Sequence, residues 1–363
     1  MSTPPQPEGT GHPQPPVAVR VAQYGPPRRR SWAPIVVVLL LLALLGSLFL
    51  NLFLASVAGV NLAGALESDR HVQEKYFSHN SAARNKIAIL PIEGIILESE
   101  EGFVKRAIDR AMKDDNLKAL VLRVDSPGGS VSGSDYIYHH LRDLATQRNI
   151  PIVVSMGGIA ASGGYYVSMA AGTTPDVIFA EPTGFTGSIG VIIPHYNFSG
   201  LMEKIGATED SIASNPLKTM GSFTKPMSEK ERKIFQELVD DSFGRFKDIV
   251  KSGRGKFQKD PAALDRLATG QIYTADQARR NGLVDKLGFI EDAVDRAIEL
   301  AGVDKDDVKV VKYKPEASLS AILMGGEARH HASALDLAAI LETITPRAYY
   351  LCTWLPGLES AKP

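Results

Sequence analysis

Residues 151–166 read PIVVSMGGIAASGGYY. From Pro151 to Met156 the run is apolar except for Ser155, the pattern of a strand covered on both faces. Two glycines, an isoleucine, two alanines, Ser162 and two further glycines follow, so the strand passes into a helix through residues too small to crowd the turn. Ser162 opens the helical stretch ASGGYYVSMAAG and has two readings. It can cap the helix by accepting from first-turn amides. It can also be a nucleophile, with the Gly163 amide beside it at the positive end of the helix. The nucleophile-elbow pattern G-x-S-x-G is met only in part, because Ala160 stands where its first glycine belongs.

Outward from this stretch the alternation continues. IAILPIEGIIL (87–97), LKALVLRVD (117–125) and DVIFA (176–180) read as short central strands. FVKRAIDRAMKDD and SGSDYIYHHLRDLATQ between them place apolar residues at helical spacing. The βαβ alternation predicts an α/β domain. Further on, SEKERKIFQELVDDSFGRFKDIVKSG (228–253) predicts the longest helix, opened by a Ser228/Glu231 capping box and stopped at Gly253. A second box at Thr274 and Gln277 starts a short helix ending at Asn281-Gly282, and IEDAVDRAIELAG predicts another, followed by the strand VKVVKY.

The amino terminus is a different material. Residues 1–31 are rich in proline and nearly free of large apolar side chains, which predicts disorder. After Arg28-Arg29-Arg30 the chain is apolar from Pro34 to Val60, longer than the roughly 20 residues that span a bilayer. Residues 32–60 are therefore expected to be a retained signal anchor with its amino terminus in the cytoplasm, and 61–84 a polar stalk. The soluble domain, 85–313, then lies outside the cytoplasm, followed by an extension, 314–363, with amphipathic pieces and no catalytic pattern.

With 22% charged residues and a net charge of -1, nothing points to nucleic acid. Cys352 is the one cysteine, which excludes an internal disulfide and a cysteine zinc cage. The eight histidines show no H-E-x-x-H or similar spacing, so no metal is expected and the His139-His140 and His330-His331 pairs read as surface residues. Neither a phosphate loop nor G-x-G-x-x-G is present, which disfavours nucleotides, and no cofactor is expected.

Three glycine-rich turns follow strands: DSPGGS (125–130), GGIAASGG (157–164) and TGSIG (186–190). Turns at the carboxyl ends of strands in an open α/β sheet are where ligands bind. Gly128 and Gly129 let backbone N–H groups face a cavity, as an oxyanion hole requires, although a tight turn alone explains them. A serine nucleophile needs a base. His195 is the histidine nearest these turns, but no carboxylate is patterned to orient it. Lys218, in SNPLKTMGSF between Leu217 and Met220, is the other candidate. A lysine held in an apolar pocket gives up its proton more readily and can then accept the serine's, so activity is expected to rise with pH. By itself, a lysine in such a setting is more often a surface residue.

The order of DSPGGS, SMGGIAASGGYY, FAEPTGFTGSIG, the lysine before MGS, and GQIYTADQARRNGLVDKLG resembles the bacterial signal peptide peptidase A family over about residues 85 to 302. The resemblance implies a ClpP/crotonase-like spiral of βαβ units. It implies Ser162 as nucleophile, Lys218 as general base, the amides of Gly163 and of Gly129 or Gly128 as oxyanion donors, and Ser188 as the residue that orients the lysine. It also implies a homo-oligomeric ring, since some members carry two copies of the unit and this chain has one. The long proline-rich start, the extra residues in AAGTTPDVIFA and the tail after about 314 depart from the pattern. The expected activity is that of a membrane-anchored serine endopeptidase acting on signal-peptide remnants and other short or unfolded apolar chains. A crotonase-like enzyme acting on coenzyme A thioesters and a non-catalytic membrane scaffold are the competing readings.

Overall fold

The computed structural model describes residues 37–48, 50, 72–97, 102–315 and 348–351. The chain divides into two units, residues 1–64 and 65–363. In the first, residues 37–48 and 50 are helical with exposed side chains, and no helix among the described residues is long and apolar enough to cross a membrane. The rest of the expected anchor, 32–60, and all of 1–31 lie outside the described residues.

The second unit is built on one sheet. Its strands are β1 Val72–His79, β2 Asn85–Ile96, β3 Leu117–Ser130, β4 Ile152–Ala161, β5 Ile178–Ala180, β6 Phe185–Gly187, β7 Ile272–Thr274, β8 Lys286–Leu287, β9 Val308–Pro315 and β10 Tyr349–Leu351. The main path runs β1-β9-β2-β3-β4-β5-β8, and every neighbouring pair along it is parallel except β1 with β9. This is the α/β architecture the alternation predicts. The three central strands are apolar on both faces: Ile87, Ile89 and Leu90 of β2, Leu120, Val121 and Leu122 of β3, and Val153 and Val154 of β4 have no exposed surface. Burying each such side chain stabilises the fold by about 1.5–3 kcal/mol.

Helices cover both faces. Phe103–Lys113 and Val131–Arg148 present Ala107, Ile108 and Ala111, and Ile137, Leu141 and Leu144, at helical spacing. Ile290–Ala301 lays Ala293, Val294, Ala297 and Ile298 toward β3 and β4. Both capping boxes form: Ser228 with Glu231 opens Glu229–Gly253, and Thr274 with Gln277 opens Ala275–Asn281, which stops at Gly282 with φ 81°.

Three boundaries differ from the sequence reading. Residues 72–79, inside the expected stalk, form β1; half of its residues are exposed, as suits an edge strand whose composition shows no apolar run. β3 extends through Ser126-Pro127-Gly128-Gly129 to Ser130, because the glycines read as a turn pair with Ile95 and Ile96 of β2. From the tail, Tyr349–Leu351 joins the sheet antiparallel to that same end of β3.

Candidate active site

Strand β4 ends at Ala161 and the helix Gly163–Ser168 starts two residues later, which leaves Ser162 at the corner. Its φ of 53° and ψ of −115° lie where residues with a Cβ are rarely found, a conformation that costs about 1–3 kcal/mol. The corner is fastened on both sides: Ser162 N–H donates to the Gly187 carbonyl at 2.8 Å, and Tyr166 N–H donates to the Ser162 carbonyl at 2.8 Å. The side chain is 1% exposed, and its hydroxyl has no hydrogen-bond partner among the described residues. Ser162 thus occupies a cap position without capping. An unpaired buried hydroxyl costs about 1–3 kcal/mol more. Two unfavourable features on one residue point to function rather than to stability.

The glycine turns close around it. A Cβ on Gly163 would lie 3.1 Å from both the Gly128 Cα and the Gly129 nitrogen, so the two turns touch backbone to backbone. Gly128 has φ 105°, and its N–H donates to the Ser126 Oγ at 3.1 Å. That bond commits the Gly128 N–H within its own turn. Ser188, 6% exposed with φ 50°, directly follows the Gly187 that holds Ser162, and its N–H donates to the Gln271 carbonyl at 2.8 Å. Ser162, Gly128, Gly129, Gly163 and Ser188 are thereby gathered at one place.

Lys218 is not among them in the way its sequence context suggested. It sits on the 3-10 turn Pro216–Thr219, exposed, and its ammonium has no hydrogen bond or ion pair among the described residues. Leu217 and Met220 beside it are only partly buried, and so short a turn has too little apolar surface to bury a long side chain. The apolar pocket expected for Lys218 is therefore not formed by its own turn. The alternative base, His195, places Nε2 3.3 Å from the Ser222 carbonyl. His139, His140 and Asp143 bring ligand atoms within 4.8 Å of one another, a grouping the sequence reading took for plain surface, and His139 Nε2 is 3.2 Å from the Asp143 carboxylate.

An aromatic cluster lines the site that the sequence did not disclose. Tyr166, four residues after Ser162, is packed against Phe246 of Glu229–Gly253 and Tyr350 of β10. Burial, then the bond to Asp135, pushes the Tyr166 phenol far above its ordinary range, and burial does the same for Tyr350. Both rings stay neutral and cannot act as bases near neutral pH. Three strand residues in a tail without alternation give too short a signal to be read as a strand.

Residues 145–304, which carry the Ser162 corner and Lys218, match peptidase family S49. A Synechocystis protein whose name marks it as a candidate protease is 36% identical over 249 residues, covering 69% of this chain and 86% of that one. The chain belongs to peptidase family S49. An Enterococcus faecium member named as a candidate signal peptide peptidase SppA is also 36% identical, over 65% of this chain and 69% of its own. Protease 4 of Haemophilus influenzae is 34% identical over 61% of this chain, which spans 36% of that longer protein. As a member of the S49 family this chain is a serine peptidase, and the Ser162 corner lies inside the matched region.

Proposed function

We propose that the chain is an endopeptidase in which Ser162 is the nucleophile and Lys218, reaching in from a neighbouring copy, is the general base. One observation carries this reading: a buried, unpartnered hydroxyl on a strained strand-to-helix corner, bordered by the amides of Gly129 and Gly163. Lys218 is exposed and without a partner among the described residues of its own chain, which is consistent with a role completed by assembly.

In the first step Ser162 Oγ bonds to the peptide carbonyl carbon while its proton passes to the neutral amine of Lys218. The oxyanion receives hydrogen bonds from Gly129 and Gly163. The carbon–nitrogen bond then breaks, and Lys218 returns the proton to the leaving amine. Water, deprotonated by the same amine, attacks the acyl ester and frees Ser162. Ser188 holds Lys218 in place. The surrounding fold corresponds to a ClpP/crotonase-like spiral, the copies form a closed ring, and residues 32–60 tether it to the membrane with the domain on the outer side. Cleaved signal peptides and other unfolded apolar chains are the substrate class.

Mixing tests the shared site. Ser162→Ala and Lys218→Ala are each expected to be inactive on an unfolded apolar peptide while remaining folded. Mixed one to one and reassembled, they are expected to regain about a quarter of wild-type activity, since that share of sites pairs an intact serine with an intact lysine. Full activity in either single variant contradicts the proposed roles, and no recovery on mixing contradicts the sharing.

A further inference from the structure

The helix Val131–Arg148 carries a group of side chains for which the Ser162 corner has no use. Its inner face is Ile137, Leu141 and Leu144, all buried. His139, His140 and Asp143 fall between those positions and reach solvent, with His139 and Asp143 one helical turn apart on a common face. The side chains of that pair are 64% and 42% exposed, so both are open to an ion arriving from solution. His139 Nε2 stands 3.2 Å from Asp143 Oδ2, and His140 brings a ring nitrogen within 4.8 Å of the other two groups.

An ion pair accounts for His139 and Asp143 but leaves His140 out. The two imidazole rings are adjacent, 5.1 Å between centroids, and protonating both would set like charges against each other. A divalent cation takes both rings in their neutral form and the carboxylate as well. Its bond lengths suit the spacing: a zinc ion bonded at about 2.0–2.1 Å to two tetrahedral ligands holds them roughly 3.3 Å apart. His139 and Asp143 already have that separation. Tyr136, one turn before His140, holds the third ring edge-on at 4.4 Å between centroids, which keeps it beside the other two groups. Lys105, whose charge reaches His140 from the helix Phe103–Lys113, is paired with Asp109 at 2.7 Å, so its repulsion of a cation is offset. Two imidazoles and one carboxylate without a thiolate suit zinc, nickel or copper, whereas magnesium and calcium take sets of oxygens.

We propose that His139, His140 and Asp143 form a surface site for a late first-row divalent cation of the zinc type, with water completing its coordination. The cation stands away from the reacting atoms: His139 lies nine residues, about 14 Å of helix, beyond Ser130. It clamps successive turns of the helix that begins directly after the Gly128-Gly129 turn, and so stabilises the support of that turn without touching a substrate. The site does not depend on the role given to Ser162.

The test is a calorimetric titration of the untagged full chain, stripped of metal by a chelator, with zinc chloride at neutral pH. One ion is expected to bind per chain. His139→Ala, His140→Ala and Asp143→Asn are each expected to weaken it by about tenfold or more, at least the cost of removing an outer-shell partner. All three side chains reach solvent, so the variants are expected to keep the fold. Unchanged affinity in any one of them overturns the site as drawn. The sequence holds a second adjacent pair, His330-His331, which makes the His330→Ala/His331→Ala chain the control. Undiminished binding there supports the site, and loss of binding there overturns it. Magnesium in large excess is expected to leave zinc in place, and displacement by magnesium would contradict a site built on imidazole nitrogen. Thermal unfolding gives an independent readout: saturating zinc is expected to raise the midpoint of the wild-type chain and not that of His139→Ala. An equal shift in both, or none in the wild type, would show that zinc does not clamp this helix.

Discussion

Ser228 and Ser162 both stand immediately before a helix, and their hydroxyls do opposite things. Ser228 has an extended backbone, φ −74° and ψ 159°, and its Oγ accepts from the Glu231 N–H at 3.3 Å while Glu231 bonds back to the Ser228 N–H at 2.7 Å. Ser162 is turned to a positive φ, bonds nothing with its hydroxyl among the described residues, and is ringed by glycines whose missing side chains leave room for another backbone. One serine lowers the energy of its helix end and the other raises it. Local sequence alone does not separate them, since each precedes a helical pattern; the difference lies in the strand that feeds the turn.

The contrast can be broken by mutation, and the effects should fall in order. Ser162→Ala is expected to lower kcat/KM by about 10³-fold or more with the fold intact, whereas Ser228→Ala should leave kcat/KM within about twofold. Comparable losses in both would mean that Ser162 acts through stability. Gly129→Ala drives a Cβ into the Ile96 carbonyl and is expected to destabilise by about 3 kcal/mol or more, read by denaturant unfolding. Gly244→Ala in the long helix has open space instead and is expected to stabilise by about 0.5–1 kcal/mol.

Smaller effects sharpen the comparison. Ser228→Ala should cost about 1 kcal/mol, the usual value of a lost cap. The Glu231 carboxyl is held below the ordinary 4.5 by the Ser228 backbone N–H first and by Lys225 as well. A lowered folded pKa means a contribution that is present above the unfolded value and lost as pH falls through the folded one. The stability gap between wild type and Glu231→Gln, measured by thermal unfolding, should therefore shrink below pH 4.5. A gap constant from pH 7 to pH 3 would show that the charge of Glu231 contributes nothing. Ser162→Gly, which removes the positive-φ strain and the unpaired hydroxyl together, is expected to raise stability by about 1 kcal/mol while abolishing cleavage.

The α/β alternation, the capping boxes and the strands β2 to β5 were legible because periodicity and caps are local. Part of the gathering was legible too, since the turns that hold Gly128, Gly129, Ser162 and Gly163 follow apolar runs read as strands, whereas Ser188 follows Phe185–Gly187, a strand no apolar run marks. What escaped depends on partners far along the chain. Val72–His79 shows no apolar run because an edge strand needs only its backbone paired, here with Val308–Pro315. Gly128 and Gly129 look like a turn until Ile95 and Ile96 draw them into the sheet. Tyr349–Leu351 is bound by two segments more than 150 residues earlier, beyond the reach of any window. The apolar neighbours of Lys218 lie on a short turn and do not by themselves make a pocket.

The central claim is that the unpartnered hydroxyl of Ser162 is the reactive group. Brief exposure of the full chain to an activated ester of an apolar peptide, followed by intact-mass and fragment analysis, tests it most directly. The account predicts one acyl group per chain on the peptide containing Ser162, absent in Ser162→Ala. An adduct on any other residue, or one that survives in Ser162→Ala, would contradict it.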